Sequence, residues 1–190
     1  ASPNQHMTRT ILGIDPGSKY MGVAVLRGPE LLAGSVHTLR NGERPYDVIA
    51  QARRLILGYV VEFRPNIVAM EEPLLRPTQR AALASVIAQE LRARSRELRI
   101  ETREISPKTT RRLLVGNSYA KKLDIARLIV REHFPELRGR LPKPPKKAVL
   151  GFSHRDKYWF HMFDAIAVAL AVRFRATLDR RSPGPTAHAP

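Results

Sequence analysis

An apolar run, Ile11-Leu12-Gly13-Ile14, ends on one carboxylate, Asp15, turns on Pro16 and Gly17, and resumes at Met21-Gly22-Val23-Ala24-Val25. The pattern predicts a buried strand, a tight turn and an antiparallel partner, with Asp15 at the mouth of the hairpin. Glu30 to Leu39 reads as a third strand, and Asn41-Gly42 with Pro45 as a loop. From Tyr46 to Phe63 apolar residues recur at helical spacing (Val48, Ile49, Ala52, Leu55, Ile56, Tyr59), and Arg64-Pro65-Asn66 stops the helix. Ile67-Val68-Ala69-Met70 repeats the shape of the first strand and also ends on acids, Glu71 and Glu72.

Arg76 to Arg96 then has the apolar stripe of a long helix, and Ile100 to Ile105 reads as a strand. Ser106-Pro107 opens a short helix, with serine as cap and proline in the first turn. Val115-Gly116-Asn117-Ser118 is a turn, and Tyr119 to Phe134 is an amphipathic helix. Residues 136–160 read as a long basic loop insertion, overlapping the start of a closing helix from Lys157 to Phe174. Residues 176–190 read as a disordered tail, and residues 1–8 as a leader ahead of the fold. A three-strand antiparallel meander followed by alternating helix and strand predicts an α/β domain over residues 9–175. Its five-stranded mixed sheet has two parallel strands beyond the meander and helices on both faces. In such sheets sites form at the carboxyl ends of the central strands, where Asp15 and Glu71 both fall.

Composition narrows the chemistry. With no cysteine among 190 residues, disulfides and thiolate metal sites are excluded, so any metal is held by oxygen or imidazole. No apolar run approaches the roughly 20 residues that span a bilayer, and the chain reads as soluble and cytoplasmic. Lysine and arginine outnumber acids 33 to 17, for a net charge of +16. An excess of that size points to a polyanionic partner, nucleic acid rather than membrane, since no basic amphipathic helix carries an aromatic face.

The acids give that surface a chemistry. Asp15 shares a strand face with Gly13 and Ile11, and Glu71 with Ala69 and Ile67; Glu72 points the other way. In the closing helix His161 and Asp164 lie one turn apart on one face, and everything after Asp164 is small and apolar as far as Ala171. An ionised aspartate inside such a run is costly unless compensated. Read singly, each acid is as compatible with a turn cap or a solvated strand end as with a ligand. Together, Asp15, Glu71, His161 and Asp164 form a hard-ligand set suited to Mg²⁺ or Mn²⁺. Two such ions about 4 Å apart hydrolyse phosphodiesters.

These residues resemble one family, the RuvC-type Holliday-junction resolvases of the ribonuclease H-like superfamily. Gly13-Ile14-Asp15-Pro16-Gly17-Ser18 is similar to its opening motif, Val68-Ala69-Met70-Glu71 to its second-acid strand, and His161-x-x-Asp164-Ala165 to its closing motif. Pro107 through Val115-Gly116 and Ala120-Lys121-Lys122 resembles its basic segment, with Arg111 and Lys122 on positions used for DNA. The resemblance implies a ribonuclease H-like fold and two Mg²⁺ held by Asp15, Glu71, His161 and Asp164, with Mn²⁺ able to substitute. It implies a homodimer that nicks four-way DNA junctions symmetrically, acting in the bacterial nucleoid alongside branch-migration machinery. Arg76, Arg80, Lys108, Arg111, Arg112, Lys121, Lys122, Lys143, Lys146, Lys147 and Tyr158 are the candidate nucleic-acid contacts. The long link from Glu136 to Phe160 departs from the family, with Tyr158 and Trp159 either stacking on bases or packing beneath the loop. It leaves open other branched DNA, structured RNA, or binding without catalysis. An actin-like ATPase needs a second nucleotide-binding half, for which 190 residues leave no room.

Overall fold

The computed structural model describes residues 8–39, 44–72, 79–145 and 151–181. Five strands form one sheet in the order β3-β2-β1-β4-β5. The first three, β1 (Thr10–Asp15), β2 (Tyr20–Arg27) and β3 (Glu30–Thr38), pair antiparallel as a meander. The others, β4 (Ile67–Glu71) and β5 (Glu101–Ile105), run parallel to β1. This is the mixed sheet the hydrophobic pattern predicts.

Strand alternation splits the interior into two cores. Leu12, Ile14, Met21, Val23, Val25, Val68 and Met70 pack against α1 (Pro45–Phe63) and α2 (Gln79–Glu97). The opposite face buries Ile11, Ala24, Leu26, Ile67 and Ala69 beneath α5 (His154–Arg181), with α3 (Pro107–Val115) and α4 (Lys122–Leu128) flanking it. Among the described residues, no helix is long and apolar enough to cross a membrane.

Glycine lets α5 lie unusually close. A Cβ on Gly13 would stand 2.3 Å from the Ala165 carbonyl oxygen, and one on Gly22 would stand 1.9 Å from that of His161. Both glycines sit in strand interiors, where the missing side chain is the space the helix backbone uses. The segment that bears His161 and Asp164 is therefore seated directly on β1 and β2.

Several boundaries differ from the sequence reading. The closing helix begins at His154, so residues 154–160 are helical and the basic loop is shorter than predicted. Ser153 starts the helix by accepting the Asp156 N–H (3.2 Å), while the Asp156 carboxylate accepts the Lys143 N–H (2.9 Å). A serine cap outweighs the basic, proline-rich composition around it. Residues 135–140 form a 3₁₀ turn rather than loop. The helix also continues to Arg181, so residues 176–181 are not tail; Arg175-Ala176-Thr177-Leu178 holds no breaker, and the next proline in sequence is Pro183. The helix predicted from Tyr119 begins at Lys122 and passes into a single π turn, Ile129–His133. Its start is delayed because Asn117 holds Tyr119 in a turn: Asn117 Oδ1 accepts the Tyr119 N–H at 2.9 Å. The predicted leader residues 1–7, the Asn41-Gly42 turn, Arg76, Lys146, Lys147 and the tail from 182 lie outside the described residues, as does the side chain of Arg80.

Candidate active site

Asp15 ends β1 and Glu71 ends β4. The two strands run side by side, with Ile14 opposite Met70 one step earlier, so the acids stand next to each other on the α5 face. From α5, His161 Nδ1 lies 2.6 Å from Asp15 Oδ2. Asp164, one turn on, is almost wholly buried and accepts a hydrogen bond from the Lys122 ammonium. Three segments far apart in sequence thus meet at one end of the sheet.

The electrostatics record how crowded the negative charge is. Burial, then Asp164 and Asp15, push the Glu71 carboxyl up to about 7, while Lys122 and Arg111 pull it down. Burial also raises the Asp164 pKa above the ordinary carboxylate range, against the opposing pull of Lys122. Lys122 keeps a half-exposed stem but turns its ammonium inward. Burial there disfavours the cation, yet Asp164, Asp15 and Glu71 outweigh it and hold its pKa above the usual lysine value. Buried carboxylates stacked in this way call for positive charge beyond one lysine.

That demand is the fit test for a divalent cation, and the donors meet it: three carboxylates and an imidazole suit Mg²⁺ or Mn²⁺. As the side chains stand, no group of three or more His, Asp or Glu among the described residues is arranged to hold an ion. The reason is visible in the bonds: Lys122 engages Asp164 and His161 engages Asp15, taking lone pairs that a cation would use. A cation binding at Asp164 competes with the Lys122 ammonium for that carboxylate.

The basic residues divide by position. Lys122 and Arg111 act on the acid cluster itself. Lys108 and Arg112 are exposed on α3, and Lys121 and Lys143 are exposed with their backbone N–H groups anchored to Asp124 and Asp156. Tyr158 and Trp159 are packed rather than presented. The Tyr158 hydroxyl donates to the Val36 carbonyl at 2.7 Å and its ring meets Tyr20 edge-on, while Trp159 lies under the Arg140 guanidinium.

Sequence reasoning missed three contributors. Gly22 sets the helix approach; a glycine inside a strand run is the available signal. Tyr20 packs its ring against both Tyr158 and His161, and no periodicity pointed to it. Tyr119 is 83% exposed at the mouth of a groove of about 900 Å³ that reaches Lys122.

No protein-family model matches the chain. Two curated proteins named crossover junction endodeoxyribonuclease RuvC do. The one from Bacteroides fragilis is 29% identical over 130 residues, covering 65% of this chain and 68% of its own. The one from Porphyromonas gingivalis is 28% identical over 137 residues, with the same coverage. Among solved structures, Thermus thermophilus RuvC in complex with Holliday junction substrate aligns at a TM-score of 0.69 with 22% identity, over 90% of this chain and 96% of that one. The chain is similar to RuvC proteins in sequence and shares their fold. A second similar structure, the yeast mitochondrial Holliday junction resolvase Ydc2, aligns at a TM-score of 0.59 over 94% of this chain and 83% of its own, with 18% identity. The five-stranded mixed sheet is accordingly ribonuclease H-like.

Proposed function

We propose that this chain is a divalent-metal-dependent endonuclease that resolves four-way DNA junctions in recombination and repair. The observation that carries the reading is the meeting of Asp15, Glu71, His161 and Asp164 at one end of the sheet, with Lys122 and Arg111 beside them. The names of the two curated relatives and the junction-bound Thermus structure support the substrate class.

Asp15, Glu71, Asp164 and His161 would hold two Mg²⁺ ions, for which Mn²⁺ substitutes. Bound there, the ions supply Lewis acidity, easing deprotonation of water and the charge that develops on the leaving oxygen. The protein's own groups act around them. His161, paired through Nδ1 with Asp15, keeps its other ring nitrogen available to ligate or to take a proton. Lys122 and Arg111 place positive charge where a phosphate must sit, and α5, seated on Gly13 and Gly22, holds the closing pair in register with the strand-end acids.

A homodimer carrying two such centres would nick opposing strands symmetrically and leave ligatable ends, working at the nucleoid with a branch-migration partner. The test is incubation with a labelled four-way junction, a matched duplex and a hairpin RNA in Mg²⁺, with nick positions mapped. Paired, symmetric nicks in the junction alone support the reading. Cleavage of the RNA in preference to the junction, or binding with no cleavage by the wild type, refutes it.

A further inference from the structure

Tyr119 has no place in the chemistry above, yet it is the most exposed aromatic residue among the described residues, at 83%. It is not loosely presented. Gly116 ends α3 in the left-handed conformation (φ 73°), Asn117 Oδ1 accepts the Tyr119 N–H at 2.9 Å, and the Asn117 carbonyl accepts the Ala120 N–H at 3.2 Å. Lys121 then starts α4 by donating its N–H to Asp124. The ring therefore projects from a backbone fixed on both sides.

It projects over the groove of about 900 Å³. Lys121, Lys122, Arg127 and Lys157 line it together with Tyr119 and Phe152. The volume falls in the range of small-ligand sites, about 300–1,000 Å³. The lining mixes cations with flat apolar groups, which matches a nucleotide: phosphate for the lysines and arginine, a base face for the rings. The groove reaches the acid cluster through Lys122, whose ammonium bonds Asp164. A paired, stacked base hides both faces from a side chain, whereas an unpaired one exposes them.

The geometry points to Tyr119 as a stacking platform for an unpaired nucleotide, held beside the acid cluster, that selects distorted DNA over continuous duplex. This rests on the proposal that the chain acts on DNA and adds the feature of DNA it recognises. Tyr46, 72% exposed on α1 across the sheet, is an internal control: equally accessible, but away from the groove.

The test measures binding in EDTA, which prevents cleavage, to three probes: a fully paired duplex, the same duplex with a single-nucleotide bulge, and a four-way junction. Tyr119→Ala should weaken binding to the bulged duplex and the junction about tenfold, in line with the loss of one base–aromatic stack. Its affinity for paired duplex should be unchanged. Tyr119→Phe and Tyr46→Ala should behave as wild type on all three probes. Equal loss on paired duplex, no loss on any probe, or a Tyr119→Phe defect as large as that of Tyr119→Ala would overturn the inference. Wild type that prefers the bulge through Tyr119 but cuts no junction would sustain the inference while refuting the proposed function.

Discussion

The two faces of the sheet are built for different ends. Against α1 and α2 the strands present Leu12, Ile14, Met21, Val23, Val25 and Met70, large side chains that fill a conventional interior. Against α5 the same strands set Gly13, Gly22, Ala24 and Ala69 among larger residues such as Ile11, Leu26 and Ile67, and the helix meets the small positions with Ala165 and Ala169. Small residues bury less apolar area per position, so the α5 face gives up hydrophobic stabilisation for proximity. The proximity puts an aspartate and a histidine of a core helix within reach of the acids at the strand ends. Both faces hold the fold together; the α5 face also brings together charges that resist it.

Substitutions on the two faces should therefore separate stability from chemistry. If the proposed centre is right, Asp164→Asn should lower junction cleavage about a thousandfold or more while binding persists, because the centre then loses one of its carboxylates. Cleavage at the normal rate would remove Asp164 from the centre. Gly22→Ala places a methyl group against the His161 carbonyl and must displace α5. We expect a loss of about 2 kcal/mol in denaturant titration, and about a hundredfold in the kcat of the folded fraction, from a shift of about 1 Å. Leu12→Ala on the opposite face should cost about 2–5 kcal/mol yet leave the kcat of the folded fraction unchanged. If both variants lost activity only in proportion to unfolding, the distinction between the faces would fail.

Glu71 sharpens the comparison further. Its carboxyl is raised from 4.5 to about 7, by burial first and then by Asp164 and Asp15. A raised acid contributes fully to stability below its unfolded pKa, and that contribution disappears as pH rises through 7. Without divalent cations the protein should thus lose on the order of 3 kcal/mol between pH 4.5 and pH 8 through this group. Glu71→Gln should abolish that loss, raising the metal-free Tm at pH 8 while eliminating cleavage. A Tm at pH 8 no higher than wild type would show that the charge is already accommodated.

The smallest effect concerns the rim. Lys121 and Lys143 are exposed, and neither side chain acts on the acid cluster. Replacing both with alanine should flatten the dependence of log K on log salt by about 0.9 for each phosphate no longer neutralised, read from binding isotherms at several salt concentrations. An unchanged slope would make them solvated surface.

The meander, the two strands beyond it and the acids at the strand ends were legible in the sequence because each rests on a local signal. Asp15 and Glu71 follow apolar runs of strand length, and His161 and Asp164 sit at a helical interval. Three features were not legible, each for a physical reason. Residues 154–160 looked like loop because their basic, proline-rich neighbourhood masks a serine cap whose value lies in hydrogen bonds to Asp156. Tyr119 looked helical because its apolar ring fits the period of the residues after it, while the Asn117 side chain, a competitor of helical bonding, holds it in the turn. The engagement of Lys122 with Asp164 spans 42 residues, and no spacing rule reaches so far.

Crystals soaked in manganese would test the central claim most directly, through anomalous scattering at the strand ends. Peaks bounded by Asp15, Glu71, Asp164 and His161, with Lys122 turned away from Asp164, are the predicted result. Manganese bound elsewhere, or no peak there at saturating concentration with Lys122 still on Asp164, would contradict a cation-dependent centre at this site.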